Sequence, residues 1–325
     1  MTGDGPDRRV DGDDGVPAPP DPQHRREPLP WCQPKPADED PDAPRRVAAI
    51  MAHPSYRQAD DDTAFLALDD TRGIRLELDY TKAELVLAEQ GVRHTVVVFG
   101  STRIREPATA ARRVEALQAE LAARPEDAAV ARRLRVAERL LAKSHYYDMA
   151  REFGRLVGRA GGGQSGLFLV TGGGPGIMEA ANRGAWDAGA PSIGLNIALP
   201  HEQYPNPYIT PGLCFSFHYF AIRKLHFLKR ACALVAFPGG YGTFDEVFET
   251  LTLVQSRKIE PVPVVLVGEA YWRRVVDIDG LVDEGVIDAE DRDLFWYAES
   301  AADAWEGILE WHARAGRPLR DLVPR

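Results

Sequence analysis

The run Ala233-Leu234-Val235-Ala236-Phe237 passes directly into Pro238-Gly239-Gly240-Tyr241-Gly242-Thr243, after which Phe244, Val247, Phe248 and Leu251 recur at helical spacing. A short apolar run, a glycine cluster and a helical period read as a buried strand, a tight loop and a helix start. Glycines let the backbone approach a ligand closely, and the unpaired amides and dipole of a helix start attract an anion, phosphate above all. The pattern recurs. Thr95-Val96-Val97-Val98-Phe99 runs into Gly100-Ser101, and Leu167-Phe168-Leu169-Val170 runs into Thr171-Gly172-Gly173-Gly174-Pro175-Gly176. Apolar runs at 192–199 and 262–267 extend the series, with helical segments between them. Strands alternating with helices in this way require a parallel sheet covered on both faces, a doubly wound, Rossmann-like α/β fold.

Several residues at these junctions carry chemistry. Glu246 lies well off the apolar stripe centred near Phe244, so it need not face the core and is free to face a cleft. Thr243-x-x-Glu246 also has the form of a capping box, in which both side chains satisfy backbone amides and do no chemistry. Ser101 is open to the same two readings, ligand contact or cap of the next element. The loop at 172–176 is no dinucleotide fingerprint: Gly174 is followed by Pro175-Gly176-Ile177, so G-x-G-x-x-G is not met. The positions about 20 residues on, where a ribose-binding acid is required, offer Ser192 and Asn196. A mononucleotide phosphate suits the loop better. His201-Glu202 is not a zinc-protease motif, because position 205 is proline. A helix expected over roughly 218–230 carries Arg223 and Lys224 among Tyr219, Phe220, Ile222, Leu225 and Phe227, a setting in which basic side chains ordinarily snorkel to the surface.

Taken together, three blocks resemble the LOG family, the cytokinin-activating phosphoribohydrolases long labelled possible lysine decarboxylases. Residues 238–246 are similar to its PGGxGTxxE signature, residues 171–181 (TGGGPGIMEAA) to its other glycine loop, and Arg223-Lys224 to its Arg-Lys pair, 23 residues before Glu246. Residues 199–206 resemble the LPxEQxxN segment of longer relatives. The resemblance spans roughly residues 94–270. It implies hydrolysis of the N-glycosidic bond of a nucleoside 5′-monophosphate, AMP or an N6-modified AMP, to free base and ribose 5-phosphate. Arg223 and Glu246 would be catalytic, and Ser101, Gly173, Gly174, Gly176, Met178, Lys224, Gly239, Gly240, Gly242 and Thr243 would bind substrate. A carboxylate suits an oxocarbenium-like transition state, whereas a permanently charged Arg223 is a poor proton donor and a good hydrogen-bonding partner for the departing base. No second carboxylate is identified as leaving-group acid. The resemblance further implies a homodimer without cofactor or metal. Two other function classes compete: a pyridoxal-phosphate decarboxylase, for which none of the six lysines lies in a recognisable cofactor motif, and a sensor that binds AMP without cleaving it.

The rest of the 325 residues sets the frame. Residues 1–46 hold 11 of the 25 prolines and almost no large apolar side chains, so they are expected to form a disordered tail ahead of one domain over 47–325. Asp60-Asp61-Asp62 reads as a solvated helix start and 76–90 as a helix. Between Pro107 and about Arg159 the composition is Ala-, Arg-, Glu- and Leu-rich with helical period, broken near Arg124-Pro125-Glu126-Asp127. This is expected to be a helical insertion at about 107–145, followed by a helix whose Tyr146, Tyr147, Met149 and Phe153 belong to a core or an interface. A flexible turn is expected at 161–163 and a helical region at 288–311. A net charge of −10 argues against nucleic acid and anionic membranes as partners and leaves a small molecule. Cys32, Cys214 and Cys232 suggest neither a disulfide framework nor a zinc site. No spanning apolar run or basic-then-apolar leader is evident, and the expected compartment is the cytoplasm.

Overall fold

The computed structural model describes residues 33–161, 166–199 and 204–319, together with residues 19, 21, 23–25, 27 and 29. Most of the expected tail, Cys32, His201-Glu202 and most of the turn at 161–163 lie outside the described residues. The chain divides into two compact units at Arg72/Gly73, whereas the sequence places the start of the globular domain at 47. In the first unit, α1 (Ala43–Ala52) runs across that boundary, with proline in its first turn where a missing amide costs nothing. The short α2 (Thr63–Leu66) is capped by Asp62, which accepts from the amides of Ala64 and Phe65 at 3.1 Å. The acidic run is therefore a helix start, as expected.

The second unit is built on seven parallel strands in the order β4-β3-β2-β1-β5-β6-β7. After α3 (Arg72–Glu89) come β1 (His94–Phe99), α4 (Pro107–Ala123), α5 (Ala128–Leu141), α6 (His145–Ala160), β2 (Leu167–Thr171) and α7 (Ile177–Asp187). They are followed by β3 (Ser192–Ile197), β4 (Cys214–Phe217), α8 (Phe220–Lys229), β5 (Ala231–Ala236), α9 (Tyr241–Gln255) and β6 (Val264–Val267). The chain closes with α10 (Glu269–Val275), α11 (Ile278–Asp283), β7 (Phe295–Ala298) and α12 (Ala301–Arg314). Because strand side chains alternate, Val96 and Val98 of β1 face one buried cluster with Phe153, Ile177 and Ile308, while Val97 and Phe99 face the other with Phe227, Val247 and Trp272. The doubly wound fold follows from that alternation.

Two expectations are corrected. Residues 288–311 are not wholly helical: β7 interrupts them and pairs Phe295 to Ala298 with Val264 to Val267. β4, which the sequence reading missed, pairs with β3 from Gly194↔Cys214 to Ile197↔Phe217. Both are edge strands of four residues, too short for a period to register. The hairpin of α4 and α5 carries its own small core of Val114, Leu117 and Ala137, separate from the two sheet-face clusters. Tyr147 and Phe153 of α6 are fully buried in the first of those clusters, so that aromatic stripe is core. Among the described residues no helix is long and apolar enough to cross a membrane.

Candidate active site

β1 is the strand from which the sheet is wound in both directions, with β2 on one side and β5 on the other. In such sheets the loops leaving the two central strands part from one another and open a crevice at their carboxyl ends. Here Ser101 ties the loops around that crevice together. Its amide donates to the carbonyl of Pro238 in the β5 loop at 3.0 Å, and its carbonyl accepts from the amide of Ile177 at the start of α7 at 3.1 Å. The Ser101 hydroxyl accepts from the amide of Arg103 at 3.1 Å. Gly176 makes this approach possible: its φ of 76° is left-handed, and a Cβ there would lie 2.4 Å from the Ser101 carbonyl oxygen.

The resulting cleft has a volume of about 760 Å³ and is lined by Ser101, Met178, Arg223, Gly239, Gly240, Gly242, Thr243 and Glu246, among others. α9 begins at Tyr241 with Gly240 as its N-cap and no capping side chain. The amides of Thr243 and Phe244 return to the Gly240 carbonyl at 2.9 and 3.0 Å, while those of Tyr241 and Gly242 find no acceptor among the described residues. Two free amides and a helix dipole thus face the cleft, an arrangement that holds a phosphate. The same geometry removes the capping-box reading. Thr243 is the third residue of the helix and Glu246 the sixth, so neither side chain is placed to cap.

Glu246 is only 4% exposed although it lines the cleft. Burial raises its pKa to about 7; Lys224 and Arg223 pull it back, and Glu249 and Asp245 push it further up. Arg223 is set from behind. Its Nε donates to the Leu195 carbonyl of β3 at 2.7 Å, and its guanidinium carbon lies 5.0 Å from the centre of the Phe227 ring. Burial lowers its pKa and Glu246 opposes that shift, so cation and carboxylate stabilise each other's charge within the site. α8 is itself held at its start by Asp79 of α3, whose carboxylate accepts from the amides of His218 and Tyr219 at 2.8 Å.

Four residues singled out in the sequence do not line the cleft. Gly173 and Gly174 belong to a buried polar network: the Gly173 amide donates to Thr171 Oγ1 at 2.9 Å, and Asn206 Nδ2 donates to the Gly174 carbonyl at 3.1 Å and to Asn182 Oδ1 at 2.9 Å. Asn182 in turn donates to Ser192 Oγ at 2.9 Å. The network fastens the loop to β3 and α7. Gly176 serves the loop contact described above. Lys224 turns to α9, where its Nζ lies 2.8 Å from Asp245 and 2.9 Å from Glu249. It cross-links the helices that carry Arg223 and Glu246.

Other residues reach the cleft without any local signal in the sequence. Tyr271 of α10 donates its hydroxyl to the Gly239 carbonyl, and Arg103, Arg139 and Lys143 also line the wall. Gly172, by contrast, has a readable reason to be glycine, because a Cβ there would meet a terminal nitrogen of Arg223 at 2.5 Å and Met178 Sδ at 3.0 Å. If the position of this guanidinium matters, Gly172→Ala should lower turnover at least about tenfold with little change in melting temperature, since small misplacements at a reacting centre are costly. Unchanged turnover would show that the guanidinium need not sit where it does.

The family model described as "Possible lysine decarboxylase" matches residues 178–308. Among curated proteins, the cytokinin riboside 5′-monophosphate phosphoribohydrolase LOG3 of Arabidopsis thaliana is 31% identical over 186 residues, 54% of this chain and 82% of that protein. The probable phosphoribohydrolase LOG4 of Oryza sativa subsp. japonica is 32% identical over 149 residues, covering 44% of this chain and 63% of the rice protein, just under two thirds of its length. Among solved structures, the molybdenum cofactor carrier protein of Chlamydomonas reinhardtii superposes with a TM-score of 0.39 at 20% identity over 68% of this chain and 99% of that one, a likeness too slight to bear on function.

Proposed function

The chain belongs to the LOG family, and from that premise we propose that it hydrolyses the N-glycosidic bond of a nucleoside 5′-monophosphate, AMP or an N6-modified AMP, releasing the base and ribose 5-phosphate. The observation that carries the reading is Glu246: a carboxylate buried at 4% exposure beside Arg223, lining a cleft that also presents the free amides of a helix start.

In this reading the phosphate sits on the amides of Tyr241 and Gly242, an anchor remote from the reacting carbon that supplies binding energy and orientation. As the C1′–N bond breaks, its electron pair passes to the base and positive charge grows on the sugar ring. Ionised Glu246 stabilises that charge and takes a proton from the water that attacks C1′. Arg223 donates hydrogen bonds to the base as negative charge develops on it, and the base ends protonated with solvent as the net proton source. Asp245, the other carboxylate of the cleft, is paired with Lys224 and offers no second acid.

The decarboxylase reading finds no support at Lys224. Burial works against its charge, but the hydrogen bonds it donates to Asp245 and Glu249 outweigh that, and its pKa is raised. An imine-forming amine needs the opposite. A panel of nucleoside monophosphates with chromatographic detection of free base tests the proposal directly. AMP should be cleaved and adenosine cleaved at least about 10²-fold less efficiently. The rate should rise with pH through about 7, the pKa of Glu246, because only the ionised carboxylate serves. Equal rates on AMP and adenosine, or a profile flat from pH 5.5 to 8.5, would remove the phosphate anchor or the carboxylate from the mechanism.

A further inference from the structure

Three cations besides Arg223 line the cleft: Arg103 in the loop after β1, Arg139 near the end of α5, and Lys143 in the turn between α5 and α6. Several arginines on and beside these helices are matched by acids, although others, Arg113, Arg132 and Arg135 among them, form no ion pair with a described residue. Arg124 and Arg133 both reach Glu120, the latter at 2.7 Å, and Arg151 lies 2.6 Å from Asp187. Arg103, Arg139 and Lys143 form no ion pair with a described residue. The Lys143 ammonium donates one hydrogen bond, to the Arg139 carbonyl at 3.2 Å, which leaves two of its three protons free. A solvated helix face explains unpaired cations in general, but these line the same cleft as a helix start with two free amides. Like charges gathered at one cleft raise the electrostatic cost of leaving it empty and favour an anion within it.

On the nucleotide reading above, we infer that Arg139 and Lys143 of the helical insertion complete a clamp on the 5′-phosphate whose other half is the start of α9, so that the insertion fixes the preference for phosphorylated over unphosphorylated nucleosides. Leu140, next to Arg139, packs against the sheet-face core and lines the cleft as well, which sets the end of α5 at the cleft. Because both side chains keep water access, they contribute ground-state binding and encounter more than transition-state stabilisation.

The test compares the parent protein with Arg139→Ala/Lys143→Ala and with the charge-retaining Arg139→Lys/Lys143→Arg. Titration calorimetry with ribose 5-phosphate needs no turnover. The alanine pair should bind it at least about tenfold more weakly, and the charge-retaining pair should return to within about threefold of the parent. In steady-state assays with AMP, the alanine pair should raise KM at least about tenfold and leave kcat within about threefold, with kcat/KM for adenosine unchanged. The rise of KM with added salt should flatten in the same variant. Ribose 5-phosphate affinity equal in all three proteins would overturn the clamp, as would a charge-retaining pair that binds as weakly as the alanine pair. If the parent protein releases no base from any monophosphate, the nucleotide hydrolase reading fails, and the calorimetry still decides whether these two cations hold a sugar phosphate.

Discussion

Glu246→Gln is expected to fold normally, to bind AMP, to lose at least about 10²-fold in turnover, the lower range for a positioned acid–base group, and to be more stable than the parent protein above pH 7. The loss follows from the role of the charge. Glutamine nearly preserves the volume and polarity of the side chain but removes both the negative charge that a cationic sugar requires and the base that activates water. The gain in stability follows from burial. The carboxyl has a pKa of about 7 in the folded chain against an ordinary value of 4.5. Between those values the folded state retains a proton that the unfolded state releases, so stability falls as pH rises through that window. The cost levels off above about 7, at something on the order of 1–3 kcal/mol, and glutamine escapes it. Urea unfolding at pH 5.5 and 8.5 checks this: the stability difference should be larger at the higher pH. A variant with parental turnover would leave Glu246 as packing. One with low turnover but no pH-dependent gain would show that the carboxyl is well solvated in the folded chain.

Arg223→Ala should likewise cut turnover by at least about 10²-fold, the scale for removing one preorganised donor at a developing charge. Its melting temperature should change little. The variant loses the hydrogen bond to the Leu195 carbonyl and the ring contact with Phe227, but it also relieves the burial of a charge that lowers the arginine's own pKa. Arg223→Lys should restore less than about a tenth of the lost activity. Nε is already committed to Leu195, and lysine cannot hold that carbonyl while presenting a planar pair of donors to the cleft. Near-parental turnover in a folded alanine variant would return Arg223 to the ordinary role of a basic side chain in an aromatic-rich helix. The two variants separate two parts of the chemistry, since only Glu246→Gln should abolish the rise of rate through pH 7.

Much of the architecture was legible because it is local. Val96 to Phe99 and Leu234 to Phe237 are apolar runs followed at once by glycine or proline, Leu167 to Val170 is one followed by Thr171 and then glycine, and no other reading of such runs accommodates the helical periods between them. The hairpin and third helix between Pro107 and Ala160 were legible for the same reason, down to the break at Pro125. β4 and β7 were not, because four residues carry too little period and each is a strand only through pairing with the neighbour that orders it.

The sequence by itself determined the doubly wound sheet and the glycine loops at its carboxyl edge and, through three spaced blocks, singled out Arg223 and Glu246, which the fold brings to one cleft. Tertiary structure alone decided what the residues at those loops do. Whether Thr243 and Glu246 form a cap depended on where α9 starts, and the chain begins that helix at Tyr241. Gly173 and Gly174 belong to a buried network with Asn182 and Asn206, and Lys224 to an ion-pair link to α9, while Arg139 and Lys143 arrive at the cleft from the end of α5 with no local motif. The physical reason is range. Backbone periodicity is set by neighbours a few residues apart, whereas a cleft wall and the charge state of a buried carboxyl are set by groups that only the completed sheet brings together: Ser101, Met178, Arg223 and Glu246 are as far apart as 145 residues in the chain and line one cleft in the fold.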